Sequence, residues 1–135
     1  MGRQYLFDAS SLIYAMKLKR LDLLDGNYVQ WLTVYEVLNG IWKEVFLLRR
    51  LNEKRAVEFA SSLLPEALAL LNILEPSGYE REIIEKALEH GMTTYDASYV
   101  VLAEKHGLVL VTEDKEFRRK AGRIVKIICL EEVLR

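Results

Sequence analysis

The sequence predicts an α/β fold: one domain in which a parallel sheet alternates with helices. Three observations carry the prediction. Short apolar runs, such as Tyr5 to Phe7 and Leu108 to Val111, alternate with segments of helical periodicity. Those intervening segments are long enough for crossover helices, so the strands they join should run parallel with right-handed connections. Acidic residues also mark the hand-overs from strand to helix, at Asp8, Glu36, Asp96 and Asp114. A parallel sheet gathers such positions along one edge, where the carboxyl ends of its strands lie.

The elements follow in order. Tyr5 to Phe7 is a strand that ends at Asp8. Ser10 to Arg20 is a helix, with Asp8 or Ser10 as its cap. Asp25-Gly26-Asn27 is a turn signal ahead of an apolar run from Tyr28 to Leu32. Thr33 then opens a long helix, because Val34, Val37, Leu38, Ile41, Val45 and Leu48 share one helical face. Tyr35, Trp42 and Phe46 widen that stripe, which reads as core or as a face covered by a partner. Gly40 within it costs about 1 kcal/mol relative to Ala, a cost that a close helix contact would explain. Asn52 or Glu53 starts a helix towards Leu71, bent or divided near Pro65. Asn72 to Leu74 is a short strand stopped by Pro76-Ser77-Gly78. Tyr79 to Glu89 is helical and ends at Gly91. Thr93 or Thr94 caps a helix over Tyr95 to His106, closed by Gly107. Leu108 to Val111 is the clearest strand, Glu113 to Ala121 a helix, and Ile124 to Cys129 the last strand.

The chain has 135 residues, which suits one domain with one real core. No repeat, low-complexity tract or linker divides it, so residues 1–135 are read as a single domain. Hydrophobic residues at 51% and charged residues at 29% describe a folded chain rather than a disordered one. Net charge is −1, so any nucleic-acid surface must be local. The lone Cys129 excludes an internal disulfide, and the Cys and His spacing does not suit a zinc ribbon. No apolar run is long enough for a signal peptide or a membrane span, which makes a cytoplasmic protein without membrane attachment the expectation. Phosphate-binding glycine loops are absent as well.

Taken singly, each acid reads as a helix cap. Thr33-x-x-Glu36 fits a capping box, Thr93-x-x-Asp96 fits the same pattern, and Asp8 and Asp114 stand at helix starts. Taken together, four carboxylates on one sheet edge repel one another and are costly to desolvate. A hard divalent cation relieves that cost, and a capping carboxylate keeps a second oxygen to offer it. Mg²⁺ or Mn²⁺ so placed suits phosphodiester hydrolysis, because it lowers the pKa of a bound water and stabilises developing charge. His90 and His106 sit at helix C-termini and Cys129 in an apolar strand, so they read as structural.

At these residues the chain resembles the PIN domain, and within it the VapC-like toxins of toxin–antitoxin pairs. The resemblance rests on Tyr5-Leu-Phe-Asp8-Ala-Ser-Ser-Leu-Ile13 and on Leu32-Thr-Val-Tyr-Glu36-Val-Leu. It rests most on Thr93-Thr-Tyr-Asp96-Ala-Ser-Tyr-Val-Val-Leu-Ala-Glu-Lys-His-Gly107, followed by Leu108-Val-Leu-Val-Thr-Glu-Asp114-Lys-Glu-Phe117. It implies a three-layer α/β/α sandwich around a parallel sheet of about five strands. It also implies Mg²⁺- or Mn²⁺-dependent endoribonuclease activity, a homodimer and a small inhibitory antitoxin. Asp8, Glu36, Asp96 and Asp114 would be the metal-binding acids, with Ser10 and Thr112 in support.

Among the basic residues, Lys17, Lys115, Arg118 and Arg119 lie near the acids in sequence and are the candidates for holding RNA phosphates. Each group alone also fits a solvated helix face. Two other functions stay open at this point. One is a housekeeping RNA-processing nuclease of the same fold. The other is a nucleic-acid- or protein-binding module whose acids only cap helices.

Overall fold

The structure is a computed structural model and describes residues 2–134. Strands β1 (Tyr5–Phe7), β2 (Tyr28–Gln30), β3 (Asn72–Leu74), β4 (Val109–Val111) and β5 (Ile127–Ile128) form one sheet in the order β3-β2-β1-β4-β5. Every pairing is parallel, with Leu6 opposite Tyr28 on one side and Leu110 on the other. The helices are α1 (Ala9–Lys17), α2 (Trp31–Phe46), α3 (Glu53–Glu58), α4 (Leu64–Leu70), α5 (Glu80–His90), α6 (Thr94–His106), α7 (Lys115–Ala121) and α8 (Leu130–Leu134).

The strand order explains what the sheet edge can do. From β1 the chain moves outward through β2 and β3, then returns to the other side of β1 for β4 and β5. The direction of winding therefore reverses between β1 and β4, and a crevice opens there at the carboxyl ends. Asp8 directly follows β1, and Thr112 to Asp114 directly follow β4.

Alternation along the strands divides the core in two. Leu6, Leu110 and Ile127 face a layer holding Ile83, Val100, Leu102 and Phe117. Phe7, Val111 and Ile128 face the opposite layer, with Leu12, Met16, Val37, Ile41 and Leu64. Burying one such side chain contributes about 1.5–3 kcal/mol. Helix α6 is buried from Ala97 to Ala103, on all sides rather than along one stripe. The N-terminal turn that carries Asp96 is thus anchored to the best-packed helix of the molecule.

Several boundaries differ from those the sequence suggests, each for a local reason. Helix α2 starts at Trp31 rather than Thr33, because strand pairing stops at Gln30. Thr33 is the third helical residue, and its hydroxyl accepts from the Gln30 backbone N–H at 3.3 Å. The expected Thr33–Glu36 capping box is therefore displaced by one turn, and Glu36 is not a capping residue. The long helix after Asn52 is divided ahead of Pro65 by a π-helical turn over Phe59–Leu63. Pro65 supplies no N–H to the preceding turn, and the wider turn accommodates that loss. The last strand is only two residues long, and α8 follows it. Carboxylates end the strand: Cys129 N donates to Glu132 Oε1 (3.2 Å) and Leu130 N to Glu113 Oε2 (2.8 Å).

The apolar stripe of α2 also splits. Val37 and Ile41 are buried, whereas Trp31, Tyr35, Leu38, Trp42 and Phe46 are exposed, with Trp42 stacked on Phe46 at 5.6 Å. Gly40 does mark a close approach, since a Cβ there would lie 2.9 Å from Ile13 Cδ1 of α1.

Candidate active site

Asp8 is the innermost acid, 8% exposed, and it caps α1 by accepting from Ser11 N at 3.0 Å. The same Oδ1 accepts from Ser10 Oγ (2.7 Å) and Ser11 Oγ (3.1 Å), and Thr112 Oγ1 donates to Oδ2. Burial pushes the Asp8 carboxyl above its ordinary range, and these donors pull it back. Ser10 and Thr112 also bind the next strand end together. Ser10 Oγ accepts from Glu113 N (2.9 Å), and Thr112 Oγ1 accepts from Asp114 N (3.0 Å). Two hydroxyls thus lock the end of β1 to the end of β4.

Asp114 caps α7: its Oδ1 accepts from Glu116 N (2.9 Å) and Phe117 N (3.1 Å), which leaves Oδ2 free of those bonds. Asp96 lies in the first turn of α6, where Thr93 is the cap and accepts from Asp96 N at 3.1 Å. Glu36, on α2, accepts from Tyr99 Oη at 2.6 Å through Oε1.

The acids feel one another. Glu36 is pushed above its ordinary range by burial and then by Asp8 and Asp96, against the pull of Tyr99. Asp96 is pushed up by burial and then by Asp114 and Asp8, while Lys120 opposes. The four carboxylates expected from the sequence therefore share one electrostatic neighbourhood. Among the described residues, no three Asp, Glu, His or Cys side chains are already drawn into one coordination shell. The donors on offer are all carboxylate oxygens, with Ser10 and Thr112 behind them. That chemistry suits Mg²⁺ or Mn²⁺, which bind through one or two carboxylates and keep several waters.

The basic residues separate. Lys115 and Arg118 line a cavity of about 350 Å³ with Thr112, Asp114 and Tyr14, beside the acids. Arg118 is paired with Glu132 (3.0 Å) and Arg119 with Glu116 (2.6 Å). Lys17 is paired with Glu44 at 2.9 Å and lines a different cavity, of about 570 Å³, between α1, α2 and the α3 region. Lys17 is the last of the nine residues of α1, roughly 13 Å along the helix from Asp8. The expectation that Lys17 flanks the site is corrected accordingly.

Three contributors escape the sequence reading: Tyr99, Ser11 and Ser98. Ser11 follows Asp8 at the spacing of a capped N–H, which is a legible signal. Tyr99 follows Asp96 by three residues, but only the fold shows that its hydroxyl reaches α2. Gln30 is fully buried, and its Nε2 donates to Ser98 Oγ at 2.9 Å.

A five-stranded parallel sheet with acidic residues at its carboxyl edge sets the class of the protein, and the chain belongs to the PIN domain family, whose profile matches residues 5–123. Among its relatives, Exonuclease VapC9 of Pyrobaculum aerophilum is 37% identical, across 92% of this chain and 90% of the relative. Ribonuclease VapC3 of the same organism is 36% identical, across 70% of each. The crystal structure of PAE2754 from Pyrobaculum aerophilum superposes with a TM-score of 0.78 at 34% identity, across 99% of this chain and 96% of that one.

Proposed function

We propose that the chain is a divalent-metal-dependent ribonuclease, the toxin of a VapBC-type pair, with Asp8, Glu36, Asp96 and Asp114 as its metal-binding acids. The observation that carries this reading is the mutual repulsion of carboxylates held at the switch point of the sheet. Carboxylates perturbed by burial and by one another cluster at functional sites. The two VapC relatives, an exonuclease and a ribonuclease, support nuclease chemistry.

When bound, Mg²⁺ or Mn²⁺ would supply an activated water and neutralise charge on the phosphate and the leaving oxygen. The chain's residues set the stage. Asp8 is fixed by Ser10, Ser11 and Thr112, whose hydrogen bonds oppose the upward push of burial on its carboxyl. Asp114 and Asp96 sit at the outer rim, exposed and half-buried, so a strand of RNA passes over them without threading an end. That position favours cutting at internal bonds. Lys115 and Arg118, beside Asp114, hold flanking phosphates. The exposed stripe from Trp31 to Phe46 supports a homodimer, and a small antitoxin is carried over from the VapC resemblance.

A circular RNA separates internal cutting from digestion of ends. With Mn²⁺ present, linearisation of the circle is expected, and EDTA should stop it. A circle that stays closed while linear RNA is degraded would assign end-directed cleavage instead. The capping-only reading keeps some support, because Asp8 and Asp114 do cap α1 and α7. It predicts no Mn²⁺ binding at millimolar concentration, which calorimetry reads directly.

A further inference from the structure

We infer that the cavity beside Asp114 is a base pocket for one guanine of a single-stranded RNA, next to the bond that is cut. Glu113 reads the Watson–Crick edge of the base, and Tyr14 supplies an aromatic wall. The inference rests on the ribonuclease reading above. It starts from a glutamate that the reading does not use.

Glu113 lies between Thr112 and Asp114 and lines the cavity of about 350 Å³. Its backbone N–H donates to Ser10 Oγ at 2.9 Å, and its Oε2 accepts from Leu130 N at 2.8 Å. The residue is held at both ends, so its carboxylate keeps its place without a ligand. The bond to Leu130 takes one of about four lone-pair sites, which leaves acceptor capacity for two more donors. The cavity stands at the small end of the roughly 300–1,000 Å³ usual for ligand sites, a scale that suits one base.

The lining decides what kind of group fits. Glu113, Asp114 and Glu131 oppose Lys115 and Arg118, and Arg118 is already paired with Glu132 at 3.0 Å. Cations do not outnumber acids, so the interior suits a flat, neutral, hydrogen-bonding group better than a phosphate. Tyr14 of α1 is half-buried and adds an aromatic ring. Unpaired RNA bases stack on such rings and are read along their Watson–Crick edges. An ionised carboxylate accepts and does not donate. Guanine is the base that sets two donors side by side on that edge, N1–H and the N2 amino group. Uracil has one N–H between two carbonyl oxygens, and adenine and cytosine place a ring-nitrogen acceptor beside the amino group. Each of these would turn a lone pair towards Glu113. Asp114 belongs both to this cavity and to the acidic cluster, so the bound base is one beside the scissile phosphate.

Cys129 makes occupancy measurable. It is the sole cysteine of the chain and lines the same cavity, so the rate at which its thiol is alkylated reports what fills the space. The probes are guanosine and inosine 5′-monophosphates, with Mg²⁺ present. Neither has an internal bond to cut, and inosine lacks only the N2 amino group. The guanine nucleotide is expected to protect Cys129 of the full chain at roughly tenfold lower concentration than the inosine one, the scale of one good base contact. Adenosine and uridine monophosphates should protect no better than inosine monophosphate. In Glu113→Gln the difference should vanish, because with its oxygen on Leu130 N–H the amide would turn N–H₂ towards the guanine donors. In Tyr14→Leu, protection by every nucleotide should weaken. Thermal melts establish that each variant is folded. Equal protection by the guanine and inosine nucleotides, or an unchanged difference in folded Glu113→Gln, would overturn the inference. Mapping of RNA cleavage separates the two readings. Cleavage by wild type with no preference for guanine beside the cut would overturn the base pocket alone. A wild type that cuts no RNA with Mg²⁺ or Mn²⁺ would overturn the ribonuclease reading on which the pocket rests.

Discussion

Asp96 and Asp8 look interchangeable in the sequence, and the structure separates them. Asp8 receives donors on both oxygens inside the protein. Asp8→Asn would turn an amide N–H₂ towards one of those donors, so it should lose about 1–3 kcal/mol of stability as well as activity. Asp96 sits half-buried at the rim, and Asp96→Asn should leave the melt within about 0.5 kcal/mol of wild type. Chemical denaturation of the two variants side by side checks the contrast. Thr112 is the second discriminating residue. It is 1% exposed and ties Asp8 to the N–H of Asp114. Thr112→Val is expected to cost about 1–3 kcal/mol, and equal stability to wild type would remove it from the linkage between β1 and β4. Asp8 and Asp114 stand at strand-to-helix hand-overs as the sequence suggests, whereas Asp96 follows helix α5 rather than a strand and Glu36 lies in the second turn of α2, so the hand-over pattern holds for two of the four acids. Tyr99 was not legible in the sequence, because its bond to Glu36 joins residues far apart in sequence and nothing local marks it.

At the scale of elements, the β-α alternation and the parallel sheet followed from period and spacing, down to the short strand Asn72–Leu74. What escaped was termination. Helix α2 begins two residues early with a Thr hydroxyl as one arm of its cap, and β5 ends at Ile128 because Glu132 and Glu113 bind the N–H groups of the next two residues, Cys129 and Leu130. Both are side-chain competitions for backbone groups, which apolar periodicity does not record. Gly40 shows two opposing effects at one position. Ala there gains helix propensity of about 1 kcal/mol but pushes the tip of Ile13, which must move from 2.9 Å. Because that tip is a terminal methyl, Gly40→Ala should leave stability within about 1 kcal/mol of wild type. Gly40→Val should be clearly worse, and a melt of Gly40→Val equal to wild type would show that α1 and α2 are not packed tightly there.

At the scale of the whole molecule, charge and surface decide. Asp8, Glu36 and Asp96 all have carboxyls raised above their ordinary values, first by burial. Between the ordinary and raised values the folded chain holds protons that the unfolded chain has released. Stability from these groups therefore falls as pH rises through that window and stays reduced above it. Without metal, the fall in melting temperature from about pH 4 to pH 7 should be shallower in Asp96→Asn than in wild type. Mn²⁺ at a hundred times its Kd should add about 2.7 kcal/mol at neutral pH and less where the acids are protonated. No helix among the described residues is long and apolar enough to cross a membrane. The exposed aromatic stripe of α2 is an apolar patch of the kind that marks an interaction surface. If the partner of that patch is a second copy, Trp42→Glu should lower the mass seen by light scattering, and an unchanged mass would place the dimer contact elsewhere. The most direct test of the central claim is RNA cleavage by wild type and Asp96→Asn, each with Mn²⁺, with Mg²⁺ and with EDTA. Cleavage that needs both the cation and Asp96 is the predicted result. Metal-independent cleavage, or full cleavage by a folded Asp96→Asn, would contradict the account.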